Sequence, residues 1–150
     1  MSSLFAFLHH VAAFTLVSAL AIEFVLLKEK LSTTIARRLL LADLMFGVSA
    51  AAVLFVGLLR VFFFEKGAAY YFTNLPFLAK LALFIAIGVL SAGPTKEFLS
   101  WRSALKKGQA PITPPEKIRG LRRVLHIEIA LTAALVLCAV LMARGVGSIG

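Results

Sequence analysis

Acidic residues are scarce in this chain: seven Asp and Glu stand against sixteen Lys and Arg, for a formal net charge of +9 over 150 residues. Charged residues of both signs make up only 15% and hydrophobic residues 61%, whereas a soluble domain carries about 25% charged and about 45–50% apolar residues. A chain this short has too little interior to hide that much apolar surface. The composition therefore excludes an ordinary soluble domain and predicts solvation by lipid. Cysteine is nearly absent. Cys138 alone excludes an intrachain disulfide and a CxxC redox or metal pair, and within an apolar run it reads as a small buried residue. There is no Walker loop, no HExxH and no GxSxG, and no Ser-His-Asp arrangement is readable. The basic excess does not point to nucleic acid, because the Lys and Arg residues fall between apolar runs and not on a face shared with base-reading partners. No Lys or Arg precedes the first apolar run. The basic region of a secretory signal is missing, Ser18-Ala19-Leu20-Ala21 is only faintly like a cleavage site, and the run is expected to stay as a helix.

What is present is four apolar stretches, at about 4–27, 39–64, 76–93 and 121–143, each near the ~20 residues a spanning helix needs. The fold expected is an all-α integral membrane four-helix bundle, forming one transmembrane domain over residues 1–150. The third stretch starts clearly, with Asn74 as a cap and Pro76 in the first turn. Gly93-Pro94 either ends or kinks it. Beyond it, Phe98, Trp101 and Leu105 recur at helical spacing, as in an extension or a short interfacial helix, with Trp101 at the headgroups. In the proline-rich linker 108–115, Thr113 and Glu116 have capping-box spacing, with Pro114 at the first helical position. The tail after Arg144 is glycine-rich and expected to fray. On the second helix, Asp43, Gly47, Ala50, Ala51, Leu54 and Gly57 share roughly one side, a spacing that lets helices pack closely in lipid.

Loop charge sets the expected orientation. Lys28, Lys30, Arg37 and Arg38 lie in the first loop. Lys96, Arg102, Lys106, Lys107, Lys117, Arg119, Arg122 and Arg123 lie in or beside the third, at 94–120. The middle loop offers Lys66, with Arg60 at the helix end. Basic residues collect on the cytoplasmic side, so both termini are expected outside, in a multi-pass protein of a bacterial inner membrane. Tyr70 and Tyr71 then fit the outer aromatic belt.

Ionisable groups at membrane depth are costly and tend to be functional. They fall in two layers. The outer layer holds His9 and His10, roughly 10 Å below the outer edge at helical rise, with Lys80 and Arg60 near the same level. It contains no acid, so a neutral imidazole or a bound anion would relieve the repulsion. Successive helical residues differ by about 100°, and this count does not choose between His9 and His10. The inner layer holds Glu23, Asp43, His126 and Glu128, with Arg122 and Arg123 just below. These groups are expected to satisfy one another as ion pairs that lock the helix ends.

Several segments carry a resemblance. Leu8-His9-His10, Ala36-Arg37-Arg38-Leu39, Gly57-Leu58-Leu59-Arg60-Val61, Gly67-Ala68-Ala69-Tyr70-Tyr71 and the stretch from Asn74 to Lys80 are similar to those of an uncharacterised family of small four-span bacterial membrane proteins. So are Arg122-Arg123-Val124-Leu125-His126-Ile127-Glu128 and Met142-Ala143-Arg144-Gly145. This resemblance covers essentially the whole chain and implies topology more than function. The chain also resembles, less closely, the HemJ-type protoporphyrinogen oxidases, which place a His early in the first helix and a Lys at the start of the third and bind b-type haem. His10 (or His9) and Lys80 hold similar places here, although the aromatic-rich stretch that follows the His in that family is missing. The resemblance implies a b-type haem held by His9 or His10; Arg60 and Lys80 would then pair with its propionates, or Lys80 would approach the iron.

Three functions remain open on the sequence. The first is a haem-binding redox protein, in which His126, toward the opposite face, would serve a second haem. The second is a non-catalytic structural or accessory subunit, meeting lipid headgroups or a partner membrane protein through its basic loop. The third is a small anion transporter built as a homo-oligomer. No internal repeat or pair of broken helices supports the last.

Overall fold

A computed structural model of the chain describes residues 2–64, 69 and 73–144. All regular elements among the described residues are helical: α1 (Ser2–Leu26), α2 (Thr33–Leu59) running into a π-helical turn (Arg60–Phe64), α3 (Leu75–Ser100), the short α4 (Arg102–Lys106) and α5 (Pro115–Ala143). Four helical stretches are long and apolar enough to cross a membrane. Their outward surfaces agree with that reading. Phe14 and Phe63 are 72% and 74% exposed, a cost that water would impose and hydrocarbon does not. Tyr70, Tyr71, Lys66 and the tail beyond Arg144 lie outside the described residues.

The helix ends follow local chemistry. Ser32 caps α2 by accepting from the Ile35 amide at 3.2 Å, so this helix begins six residues before the apolar run and carries Arg37 and Arg38 on its exposed side. Asn74 caps α3 as the sequence predicts, its Oδ1 accepting from the Phe77 amide at 3.0 Å. Asn74→Ala is expected to cost about 1 kcal/mol, the usual worth of a cap, read as a lower unfolding midpoint in detergent.

One open choice is decided and two expectations are corrected. Of the alternatives at Gly93-Pro94, the structure has the helical extension and not the end: Pro94 sits buried inside α3, which continues to Ser100. Proline removes one amide from the ladder, and packing on both sides of it carries the helix through. Trp101 is only 3% exposed. It stacks against Phe98 at 5.1 Å and donates to Glu97 Oε1 at 3.2 Å, so it fills the bundle and does not face the headgroups. The capping box at Thr113 does not form, and Thr113 Oγ1 is buried without a partner. A residue that precedes proline is pushed out of the helical region. Pro114 precedes Pro115, so α5 begins at Pro115 and Glu116 pairs loosely with Arg119 instead, at 4.0 Å.

The bundle is two antiparallel pairs. α1 packs chiefly along α2, and α3 chiefly along α5, with lighter contact between the pairs. The main core lies toward the end of the bundle that carries the α1–α2 connection, where Leu20, Leu27, Ala36, Leu39, Phe98, Trp101, Leu121 and Leu125 interdigitate. At the other end, among the described residues, Val61 and Phe77 form a small second cluster with Leu78 packed against it. The pairs are therefore sealed together at one end and leave space between them at the other.

Candidate functional site

That space is a cavity of about 510 Å³, lined by residues of all four long helices. His9 and His10 enter from α1, Arg60 from the π-turn after α2, and Lys80 from the second turn of α3. The remaining walls are apolar, among them Phe14, Val53, Leu81, Phe84 and Leu135, and no acidic residue is among the described lining residues. The volume lies within the usual ~300–1,000 Å³ range of ligand pockets, which combine apolar walls with a few placed polar groups. The outer layer expected from the sequence is thus brought together in three dimensions.

The two histidines differ. Their rings meet edge to face at 6.1 Å between centroids. His9 packs against α2, where a side chain at Gly57 would meet its Cε1 at 3.1 Å. The ring lies within reach of the Val53 carbonyl, and Nδ1 is buried without a partner. His10 Nδ1 lies 2.7 Å from the Ala6 carbonyl oxygen. A carbonyl only accepts, so Nδ1 carries the hydrogen and the neutral ring keeps Nε2 as its acceptor and metal-binding nitrogen. Structure thus separates what helical periodicity leaves equal: His9 is a packing residue with one orphaned atom, and His10 is a ring held in a fixed tautomer at the cavity wall.

Lys80 and Arg60 are the charged side chains that act on His9. The Lys80 ammonium also lies 5.7 Å from the centroid of the Phe77 ring. Gly57 is where the helix stripe matters, because the close approach of His9 needs the missing side chain. Gly47, on the same side, has nothing within 4 Å of its would-be Cβ. Gly57→Leu is expected to displace His9 and to cost about 1–3 kcal/mol, the usual overpacking penalty. Gly47→Leu should change stability by less, and paired thermal unfolding curves in detergent would check the contrast.

His126 is not part of this cavity. It lies on α5 beside the Phe24 ring, 6.0 Å between centroids, at the other end of the bundle. The ion pairs expected of the inner layer are also replaced. Arg122 donates to the Leu27 carbonyl at 2.9 Å, Arg123 is exposed, and neither forms an ion pair with Glu23, Asp43 or Glu128. These three carboxyls approach one another instead. Glu97 and Lys117 do pair across helices, at 2.9 Å; both lie in the polar segment 94–120 between apolar runs, where the sequence carries no sign of which residues meet. The π-turn that carries Arg60 also left no signal in the sequence.

Fold and site together define a small polytopic membrane protein: four spanning helices around a cationic, histidine-bearing cavity. Over residues 1–147 the chain matches the family described as "Predicted membrane protein (DUF2214)". It belongs to that family of membrane proteins. No curated protein and no solved structure matches it.

Proposed function

We propose that this protein binds a b-type haem in the cavity between its helix pairs and takes part in redox chemistry at the membrane. The observation that carries the reading is the convergence of His10, Arg60 and Lys80 on one apolar cavity, with the His10 tautomer set by the Ala6 carbonyl. A haem asks for three things of a site: an imidazole nitrogen, apolar walls for the macrocycle and cations for the propionates. The residues present fit all three. His10 Nε2 would ligate the iron, and the hydrogen bond from Nδ1 to Ala6 would orient the ring, as second partners of metal-binding histidines do. Arg60 and Lys80 would hold the carboxylates. His9, packed on Gly57, would support α1 against α2. When bound, the haem supplies one-electron chemistry; the protein supplies the ligand, the cations and exclusion of water.

The charge distribution supports a matching topology. The loops between α1 and α2 and between α3 and α5 would face the cytoplasm, with both termini outside and the haem toward the outer half of an inner membrane. A single cysteine placed at Gln109→Cys, with Cys138→Ala, should then react with a membrane-impermeant maleimide in inverted vesicles and not in intact spheroplasts.

The haem reading is tested by an optical spectrum of protein purified from cells expressing it with ample haem. A Soret band at near-stoichiometric intensity, with bands that sharpen on dithionite reduction, is the expected result. A protein that is folded and monodisperse yet shows no Soret band, and gains none on haem titration, would defeat it and leave an accessory subunit as the better reading.

A further inference from the structure

Three acids occupy positions where their helices otherwise bury apolar residues. On α1 the buried stripe runs Leu16, Ala19, Leu20, Glu23, continued by Leu27 just past the helix end; on α2 it includes Ala36, Leu39, Asp43, Phe46; on α5 it runs Leu121, Leu125, Glu128, Thr132. Glu23, Asp43 and Glu128 are 2%, 8% and 1% exposed. They meet at the seam of three helices. The Glu23 and Asp43 carboxyls lie within hydrogen-bonding reach of each other, and Glu128 lies close enough to act on both. From α3, the Thr95 hydroxyl donates to Asp43 Oδ1 at 3.0 Å.

Two of these carboxyls are incompletely served. Oε1 of Glu23 and Oε1 of Glu128 are buried with no hydrogen-bond partner. Thr132, one turn along α5 from Glu128, spends its hydroxyl on the Glu128 backbone carbonyl at 2.8 Å and gives nothing to the carboxyl.

The surrounding basic groups are engaged elsewhere or exposed. Arg122 serves the Leu27 carbonyl, Lys28 lies 4.4 Å over the Phe24 ring, and Lys117 pairs with Glu97. His126 lies against Phe24, while Arg37, Arg38 and Arg123 are exposed. Among the described residues no group of His, Cys, Asp and Glu has the geometry to hold a metal ion.

The chemistry of the donors then limits the occupant. An ionised carboxyl only accepts hydrogen bonds, and a carboxyl donates only when it carries a hydrogen. Two carboxyls this close can join only through a proton carried by one of them, and the orphaned oxygens on Glu23 and Glu128 are acceptors with no donor beside them. Like charges crowded at low dielectric repel strongly, so three ionised carboxyls at one buried seam are disfavoured.

We infer that Glu23, Asp43 and Glu128 form a proton-binding site inside the bundle, in which a proton shared by Glu23 and Asp43 exchanges with Glu128. The transfer is oxygen to oxygen. One O–H bond breaks on Glu23 or Asp43, one forms on Glu128, and no electron moves. Thr95 is a positioning residue that fixes Asp43 Oδ1. The site stands apart from the cavity: fourteen positions on α1 separate Glu23 from His9, roughly 20 Å at helical rise. It does not depend on a haem.

Infrared difference spectroscopy of the full chain in lipid nanodiscs tests it. The wild type is expected to show, near neutral pH, a carbonyl stretch of a protonated carboxyl that shifts to lower frequency in D2O. Glu23→Gln and Asp43→Asn should each remove or move that band, and Glu128→Gln should change its frequency. Thr95→Val should shift the band without abolishing it, which a residue that merely packs would not do. Absence of any such band in the wild type near neutral pH overturns the inference, and this arm needs no variant to fold. A band untouched by all three carboxamide substitutions also overturns it. So does a band that vanishes when sodium replaces choline at fixed pH, because the occupant is then a metal cation.

Discussion

His10→Ala is expected to abolish stable haem loading while leaving the bundle folded. The argument is local. His10 is exposed on α1, and its Nδ1 bonds to a carbonyl of its own helix, so removing the ring opens no core cavity. What is lost is the nitrogen that would hold the iron. The expected fall in haem affinity is at least about tenfold, equivalent to about 1.4 kcal/mol, measured by titrating haem into apo-protein in detergent. His9→Ala should behave in the opposite way. Its ring fills the contact at Gly57, so its removal should lower the unfolding midpoint and leave haem uptake largely intact. If His9→Ala loses the haem and His10→Ala keeps it, the two roles are interchanged.

Phe98→Ala is expected to produce the largest loss of stability of any single truncation in the bundle. Phe98 is fully buried and stacks on Trp101 where α3 and α4 meet. Truncating a buried Phe costs about 3–5 kcal/mol in a water-soluble core. Part of that value is transfer from water, which weakens when the unfolded reference is also in lipid. The part that persists is lost dispersion contact across an unfilled cavity, so the lower end, about 3 kcal/mol, is the expected figure. Unfolding in mixed detergent, followed by the fluorescence of Trp101, would read both the stability and the local environment of its stacking partner. A change under about 1 kcal/mol would mean that the helix pairs are not held together at this core.

The outer site was legible in kind and not in detail. His9, His10, Arg60 and Lys80 stand out because an ionisable group is expensive in hydrocarbon, and that cost is visible without coordinates. Both histidines line the cavity, and which of them packs against α2 depends on Gly57 coming close to one ring, a contact between residues 48 positions apart. The acid cluster was legible too, since Glu23, Asp43 and Glu128 each fall on the apolar stripe of their helices. Proximity in depth to Arg122 and Arg123 suggested ion pairs. The arginines instead lie below or outside the stripe, one of them bonded to the Leu27 carbonyl just past the end of α1.

Helix ends divide the same way. The caps at Ser32 and Asn74 are local hydrogen bonds between residues three apart, so local sequence suffices for them. The passage of α3 through Pro94 is not local. Proline's missing amide argues for a break, and packing of Pro94 and Phe98 inside the bundle overrides it.

By itself the sequence determined that four apolar stretches leave water for lipid, because no chain of this composition and length can bury them in its own interior. It also determined how many ionisable groups must be carried at membrane depth. Only the tertiary structure decided which of those groups meet. Helical periodicity sets a side chain's angle about its own axis, but the partner across the seam is set by how α1–α2 docks on α3–α5. That docking seals one end around three carboxyls and leaves the other end open around two histidines and two cations.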